Sequence, residues 1–210
     1  MRISWRPIFR RTAQAAKFGA LMLLFGSFSS APLLAAPTIV IDAGHGGRDG
    51  GAYWGGVKEK DLTLRLAGRV ESELRARGLR TAMTRRRDVF IPLGGRAAAA
   101  NRHRNAILVS LHFDASRDKR VRGLTVYHAG PAGKVLAGKL AAAIGRPGGI
   151  RNRGAVRRNL AVLRNTRGAA VLIECGFVSN DVERRLCRSA AFQAQLAKGI
   201  VRGLSAHVRK

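Results

Sequence analysis

The sequence predicts an α/β sandwich with a mostly parallel sheet. Three observations carry this. Short apolar runs recur along the chain, segments of helical period separate them, and two of the runs, "ILVSL" and "AVLI", are apolar at every position but one. Strands alternating with helices argue for parallel pairing. Strands that are apolar on both faces belong in the middle of a sheet with helices on either side.

The elements follow in order. "TIVID" (38–42) is a short β-branched run and reads as a buried strand. A glycine-rich loop follows, and then "EKDLTLRLAGRVESELRARG" sets Leu62, Leu66, Val70 and Leu74 four apart on one helical face, with Gly78 as the stop. "LRTAMT" reads as a second strand and "LGGRAAAANRHR" as a short alanine-rich helix. "AILVSLH" (106–112) is another continuous apolar strand. "GLTVYH" (123–128) alternates more and reads as an edge strand. "GKVLAGKLAAAIG" is helical, "RPGGIRNRG" a loop, and "LAVLR" and "AAVLIE" (169–174) strands. Ser179 and Asp181 flank an Asn in "SND", a helix-capping signal, and "AFQAQLAKGIVRGLSAHV" is the last helix.

The chain has 210 residues, 46% of them hydrophobic, enough for one domain with a real core. Its first 36 residues stand apart. "MRISWRPIFRRTAQAAK" is basic and without acid, and "FGALMLLFGSFSSAPLLAA" carries no charge. This is the pattern of an export signal, with cleavage near Ala31 or Ala36, although Pro32 and Pro37 make both sites imperfect. Arg10 and Arg11 form a twin-arginine pair. The alternative is a retained anchor, since the uncharged stretch is about long enough to span a bilayer. Either way the rest, 37–210, is expected outside the cytoplasm, in the periplasm or cell envelope.

The formal charge is +27, and +22 over residues 37–210. Such a charge governs solubility and attraction to anionic partners, not fold. Nucleic acid, a membrane surface and an anionic wall polymer are the candidates. The arginines come in small groups with few aromatics between them, which argues against a stacking groove for single strands. Cys175 and Cys187 could pair in an oxidising compartment, but Cys175, beside an apolar strand, reads as a buried free thiol.

Three strand-like runs end in a potential ligand or base: "TIVID" leads to His45, "ILVSL" to His112 and "AVLI" to Glu174. In an open parallel sheet, ligands bind beyond the carboxyl ends of the strands, so parallel neighbours would place all three on one rim. Two histidines with carboxylates suit zinc better than magnesium or calcium. Asp42, Glu59, Asp114 and Glu174 are the candidate carboxylates, and spacing alone does not choose among them. HExxH is absent. Each residue also has a plain structural role open to it: a turn histidine, a core histidine, a helix N-terminal charge, a buried ion-pair partner. An acid that ends an apolar strand is costly unless paired.

At these residues the chain resembles the zinc-dependent N-acetylmuramoyl-L-alanine amidases of the amidase type 3 family. "IVIDAGHGGRDGGA", "KEKDLTL", "ILVSLHFDA", "GLTVY" and "VLIECGFVSN" match in order across residues 38–205. The resemblance implies a three-layer sandwich with about six strands flanked by helices. It implies zinc held by His45, Glu59 and His112, with Glu174 as catalytic base. Asp42 and Asp114 then orient the ligands or shape loops, and Arg96 and Asn101 are structural. It also implies peptidoglycan as substrate, cleaved between N-acetylmuramic acid and L-alanine. No nucleic acid is expected, a membrane only if residues 1–36 are retained, and a monomer is expected. Two departures stand out. Ala169 replaces the proline usual before the Glu174 strand, and the stretch from Tyr127 to Leu160 is too short for a blocking helix, which implies an open site. The competing readings are a non-catalytic basic binder of cell wall or nucleic acid, and a thiol hydrolase using Cys175. The latter is disfavoured because Cys175 follows Glu174 and should point to the opposite sheet face.

Overall fold

The computed structural model describes Met1 and residues 36–209; the expected export segment lies outside the described residues, save for its ends. Six strands form the central sheet: β1 (Thr38–Ala43), β4 (Thr81–Met83), β5 (Ala106–Asp114), β6 (Leu124–His128), β7 (Asn152–Arg157) and β8 (Ala169–Phe177). Their order is β4-β1-β5-β8-β6-β7. All neighbours run parallel except β6 and β8, which are antiparallel. A two-stranded ribbon, β2 (Tyr53–Trp54) with β3 (Val57–Lys58), sits apart from it in the pairing.

The period of two along each strand sorts the core into two layers. Ile39, Ile41, Val109, Leu111, Val171 and Ile173 face one side. There α1 (Glu59–Arg75), α3 (Pro131–Ile144) and α6 (Ala190–Val208) cover the sheet. In α1, Leu62, Leu66, Val70 and Leu74 are fully buried, as their spacing requires. Each such side chain contributes roughly 1.5–3 kcal/mol. Gly78, at φ +72°, follows the end of that helix. Val40, Leu108, Ala170 and Leu172 face the other side, under α2 (Leu93–Asn101) and α4 (Ala161–Arg164). One face therefore carries three long helices and the other two short ones. The last connection to α6 is α5 (Asp181–Arg188), whose cap is Asn180: its Oδ1 accepts from the N–H groups of Val182 (3.1 Å) and Glu183 (3.0 Å).

Two expectations about the elements change, and the one about Cys175 holds. "GLTVYH" is not an edge strand, because β7 covers it. That strand comes from "NRGAVR", whose first residues fell within the expected loop; it is mostly exposed, so its outward arginines hid the pattern. "LAVLR" is a helical turn, not a strand. Leu163 and Arg164 N–H both donate to Leu160 C=O, and Val162 and Leu163 pack on the thinly covered face. A five-residue apolar run does not by itself separate helix from strand. Both cysteines are buried free thiols, and Cys175 lies in the core layer under the long helices.

Candidate functional site

The loop after β1 is tightly constrained. His45 has φ +59°, the one non-glycine residue with positive φ among the described residues. Such a conformation costs on the order of 1–3 kcal/mol and persists only when its surroundings impose it. Here Arg96 Nη2 donates to His45 C=O at 2.8 Å, and Gly46 and Asp49 exchange backbone hydrogen bonds at 2.8 and 3.2 Å. Arg85 grips the same loop from the other side, donating to Ala43 C=O and Gly44 C=O at 2.9 Å each. Two glycines are required by close approach. A Cβ at Gly44 would stand 2.4 Å from the His112 ring, and one at Gly51 would stand 2.6 Å from both Glu59 Oε2 and the His45 ring.

Glu59, the first residue of α1, bridges the two imidazoles. Its Oε1 lies 2.8 Å from His112 Nδ1 and accepts the Phe113 N–H at 3.0 Å. Its Oε2 lies 3.0 Å from His45 Nε2 and accepts the Ala52 N–H at 2.9 Å. One ligand atom from each of His45, Glu59 and His112 falls within 4.8 Å of the others. The set can hold a metal ion. Burial works against the charge of Glu59, yet hydrogen bonds from His112 and His45 outweigh it and hold the carboxyl well below the usual carboxylate range. His45 moves the other way: burial lowers its pKa, and Glu59 and Asp49 more than reverse that. His45 Nδ1 is 2.9 Å from both oxygens of Asp49. This fixes which ring nitrogen faces Glu59.

Glu174 is the cross-strand partner of His112 on β8. Paired residues point to the same face, about 5 Å apart. The residue is partly exposed, but its Oε2 is shut off from solvent and meets no hydrogen-bond partner among the described residues. Burial pushes its carboxyl well above the usual range, the negative charges of Glu59 and Asp114 push it further, and Arg158 opposes them. A cavity of about 210 Å³ opens beside His45 and His112 over the thinly covered face, with Phe90, Leu93, Leu160 and Val162 among its walls.

Asp42, on β1, touches neither histidine. Its Oδ1 pairs with Arg96 at 2.7 Å and accepts from Thr84 at 2.8 Å, and its Oδ2 accepts from Ser110 at 2.6 Å. Through Arg96 it anchors the His45 carbonyl. Asp114 accepts the Ala115 N–H and shapes the strand end; burial raises its pKa. Asn101 pins the segment before β8, donating to Asn165 C=O and accepting from the Arg167 N–H, both at 2.9 Å.

Residues 39–206 match the sequence pattern of the N-acetylmuramoyl-L-alanine amidases, most of the chain. The chain belongs to that family. It is 35% identical over 175 residues to a protein of Staphylococcus aureus described as probable cell wall amidase LytH, covering 81% of this chain and 58% of that one. The chain thus spans little more than half the length of the curated relatives it matches. The catalytic domain of the amidase CwlV from Paenibacillus polymyxa superposes with a TM-score of 0.79 at 32% identity, over 82% of this chain and 98% of that domain. The amidase AmiC2 of Nostoc punctiforme does so with the same score and identity, over 83% and 98%.

His45, Glu59 and His112 converge in the structure, and Glu174 pairs with His112 across β5 and β8. Sequence reasoning singled out all four. It passed over Asp49, although "HGGRD" places an acid four residues after His45 in a turn of glycines, which was the available signal. It passed over Arg85 as well, one of three consecutive arginines with nothing in the string to mark which is buried.

Proposed function

We propose that the protein is a zinc-dependent peptidoglycan amidase that works outside the cytoplasm, hydrolysing the amide between N-acetylmuramic acid and L-alanine. One observation carries the reading: the His45–Glu59–His112 set lies beside Glu174, whose Oε2 has no hydrogen-bond partner among the described residues. The donors are two imidazole nitrogens and a carboxylate oxygen. That mixture fits zinc, whereas magnesium and calcium favour all-oxygen sites. His45, Glu59 and His112 would be the ligands. When bound, zinc supplies a Lewis acid that polarises the scissile carbonyl and acidifies water.

The chain's own groups do the rest. Asp49 and the Phe113 and Ala52 amides fix the orientation of His45 and Glu59. The apolar walls of the neighbouring cavity exclude water from one side of the bound substrate. Glu174 takes a proton at its carboxylate from the attacking water and delivers it to the leaving amine of L-alanine. The basic composition of residues 1–36 supports export, and the +22 surface supports adhesion to wall anions that salt would weaken.

The test is mass analysis of muropeptides after digestion of isolated wall by the purified protein. Free stem peptide beginning with L-alanine, absent when a chelator is added, is the expected result. Glu174→Ala should retain zinc and lose cleavage, while His45→Ala and His112→Ala should lose zinc. Full turnover in Glu174→Ala would overturn the role of that residue. Wall binding without cleavage by zinc-loaded protein would favour a non-catalytic binder.

A further inference from the structure

A second cavity, of about 410 Å³, lies at the same rim of the sheet and outside the ligand set. Its lining includes Arg120, Arg122, Arg146, Arg151, Arg153 and Glu183. The fold explains how it comes to stand beside Glu174. β6 runs antiparallel to β8, so Thr125, near the start of β6, pairs with Glu174, and Leu124 pairs in turn with Asn152 at the start of β7. Arg151 and Arg153 flank that residue. Two strand spacings separate them from Glu174, about 10 Å.

The charges of this cavity are unevenly satisfied. Arg120 is paired with Asp118, and Arg153 donates to Arg122 C=O and stacks over Phe177 at 5.3 Å. Arg122, Arg146 and Arg151 are exposed and form no ion pair among the described residues. Against them stands a single carboxylate. Glu183 is 2% exposed; its Oε2 accepts the Phe177 N–H at 2.8 Å, while its buried Oε1 has no hydrogen-bond partner among the described residues. A buried carboxylate oxygen left open is costly. It asks for a donor, and in this wall the strongest complement is an ammonium group. The arginines ask for carboxylates. A phosphate chain would satisfy the arginines but would meet Glu183 with repulsion.

Taking the amidase reading as its basis, we propose that this cavity binds a stem-peptide residue carrying both a free carboxylate and a free ammonium group, with the ammonium on Glu183 and the carboxylate on the arginines. An extended peptide advances about 3.3–3.6 Å per residue. A separation of about 10 Å therefore corresponds to the third residue out from the scissile amide. The site selects stems whose third residue is a diamino-dicarboxylic acid.

The test uses the full chain and two readouts. The first is calorimetric binding of free peptides, which reads the cavity whether or not the protein cleaves anything. A tripeptide ending in the diamino-dicarboxylic residue should bind at least about tenfold more tightly than the same peptide with its third-residue side-chain carboxylate amidated or its amine acetylated, the effect expected of one lost charge-assisted hydrogen bond. Arg146→Ala/Arg151→Ala should abolish the carboxylate preference, and Glu183→Gln, which keeps an acceptor for the Phe177 N–H, the amine preference. The second readout is the ratio of kcat/KM for muramyl tripeptide over muramyl dipeptide, which should collapse toward unity in both variants. Equal binding of all peptides by the wild type, or an unchanged preference in the variants, overturns the proposal. Binding with the expected preference but no cleavage of any muropeptide would leave the cavity as described and defeat the amidase reading instead.

Discussion

Arg96→Met tests the buried pair behind the candidate site. The substitution keeps most of the side-chain bulk and removes the charge. Arg96 is 3% exposed and makes four hydrogen bonds: to Asp42 Oδ1, Ala43 C=O, His45 C=O and Ile91 C=O. Asp42 is fully buried and would keep only its hydroxyl donors, Thr84 and Ser110, among the bonds described above. Stranding one partner of a buried ion pair costs about 3–5 kcal/mol. That is a large share of the roughly 5–15 kcal/mol that holds a domain folded. The assay is urea unfolding of metal-free protein, read as a midpoint shift at constant slope. Asp42→Asn/Arg96→Met supplies the cycle: if the pair acts as a unit, the double variant is less destabilised than the two singles added together. Additivity within about 0.5 kcal/mol would refute the pairing argument. The folded fraction of Arg96→Met should also bind zinc about 10–100-fold more weakly, because the His45 carbonyl loses its anchor.

Three further outcomes follow from the same geometry. Glu174→Gln should stabilise the metal-free protein at neutral pH, since the folded state raises the pKa of that carboxyl and so binds its proton more tightly than the unfolded chain. Wild-type stability then falls as pH rises above about 4.3, the ordinary glutamate value, and the advantage of the variant vanishes below it; a pH series of thermal melts with chelator present checks the sign. Gly51→Ala pushes a methyl to within 2.6 Å of Glu59 Oε2 and the His45 ring at φ +65°, so zinc content measured by atomic absorption should drop while the far-UV spectrum stays native. Asn101→Ala removes two hydrogen bonds that pin residues 165–167, which should lower stability by about 1–3 kcal/mol without changing zinc content.

Much of the centre of the molecule was legible because its physics is local. A strand that must be apolar on both faces reads as "ILVSL" or "AVLI" without any knowledge of its neighbours, and a polar residue that ends such a run announces a rim. His112 and Glu174 were found that way, and the structure pairs them across β5 and β8. Glu59 was different. Its bridge to both imidazoles depends on how α1 docks, which spacing does not encode, and only the family resemblance singled it out. The periphery was harder. β7 is mostly exposed and arginine-rich, so little apolar period survives in "NRGAVR", and its partner β6 reads as the edge in consequence. In "LAVLR", burial of two adjacent side chains on a turn produced the same letters as a strand would. Asp49 and Arg85 owe their importance to a loop conformation that becomes visible only when φ at His45 is known.

The unequal cover of the sheet has a mechanical consequence. On one side stand helices of 17, 14 and 19 residues; on the other, α2 has nine and α4 only four. A polymer knitted into a mesh cannot be drawn into a closed chamber, because its ends lie beyond reach in every direction. It can only be laid along a low bank and touched from the side. On the function proposed above, the short helices make such a bank, and a strand laid along it passes His45 and His112.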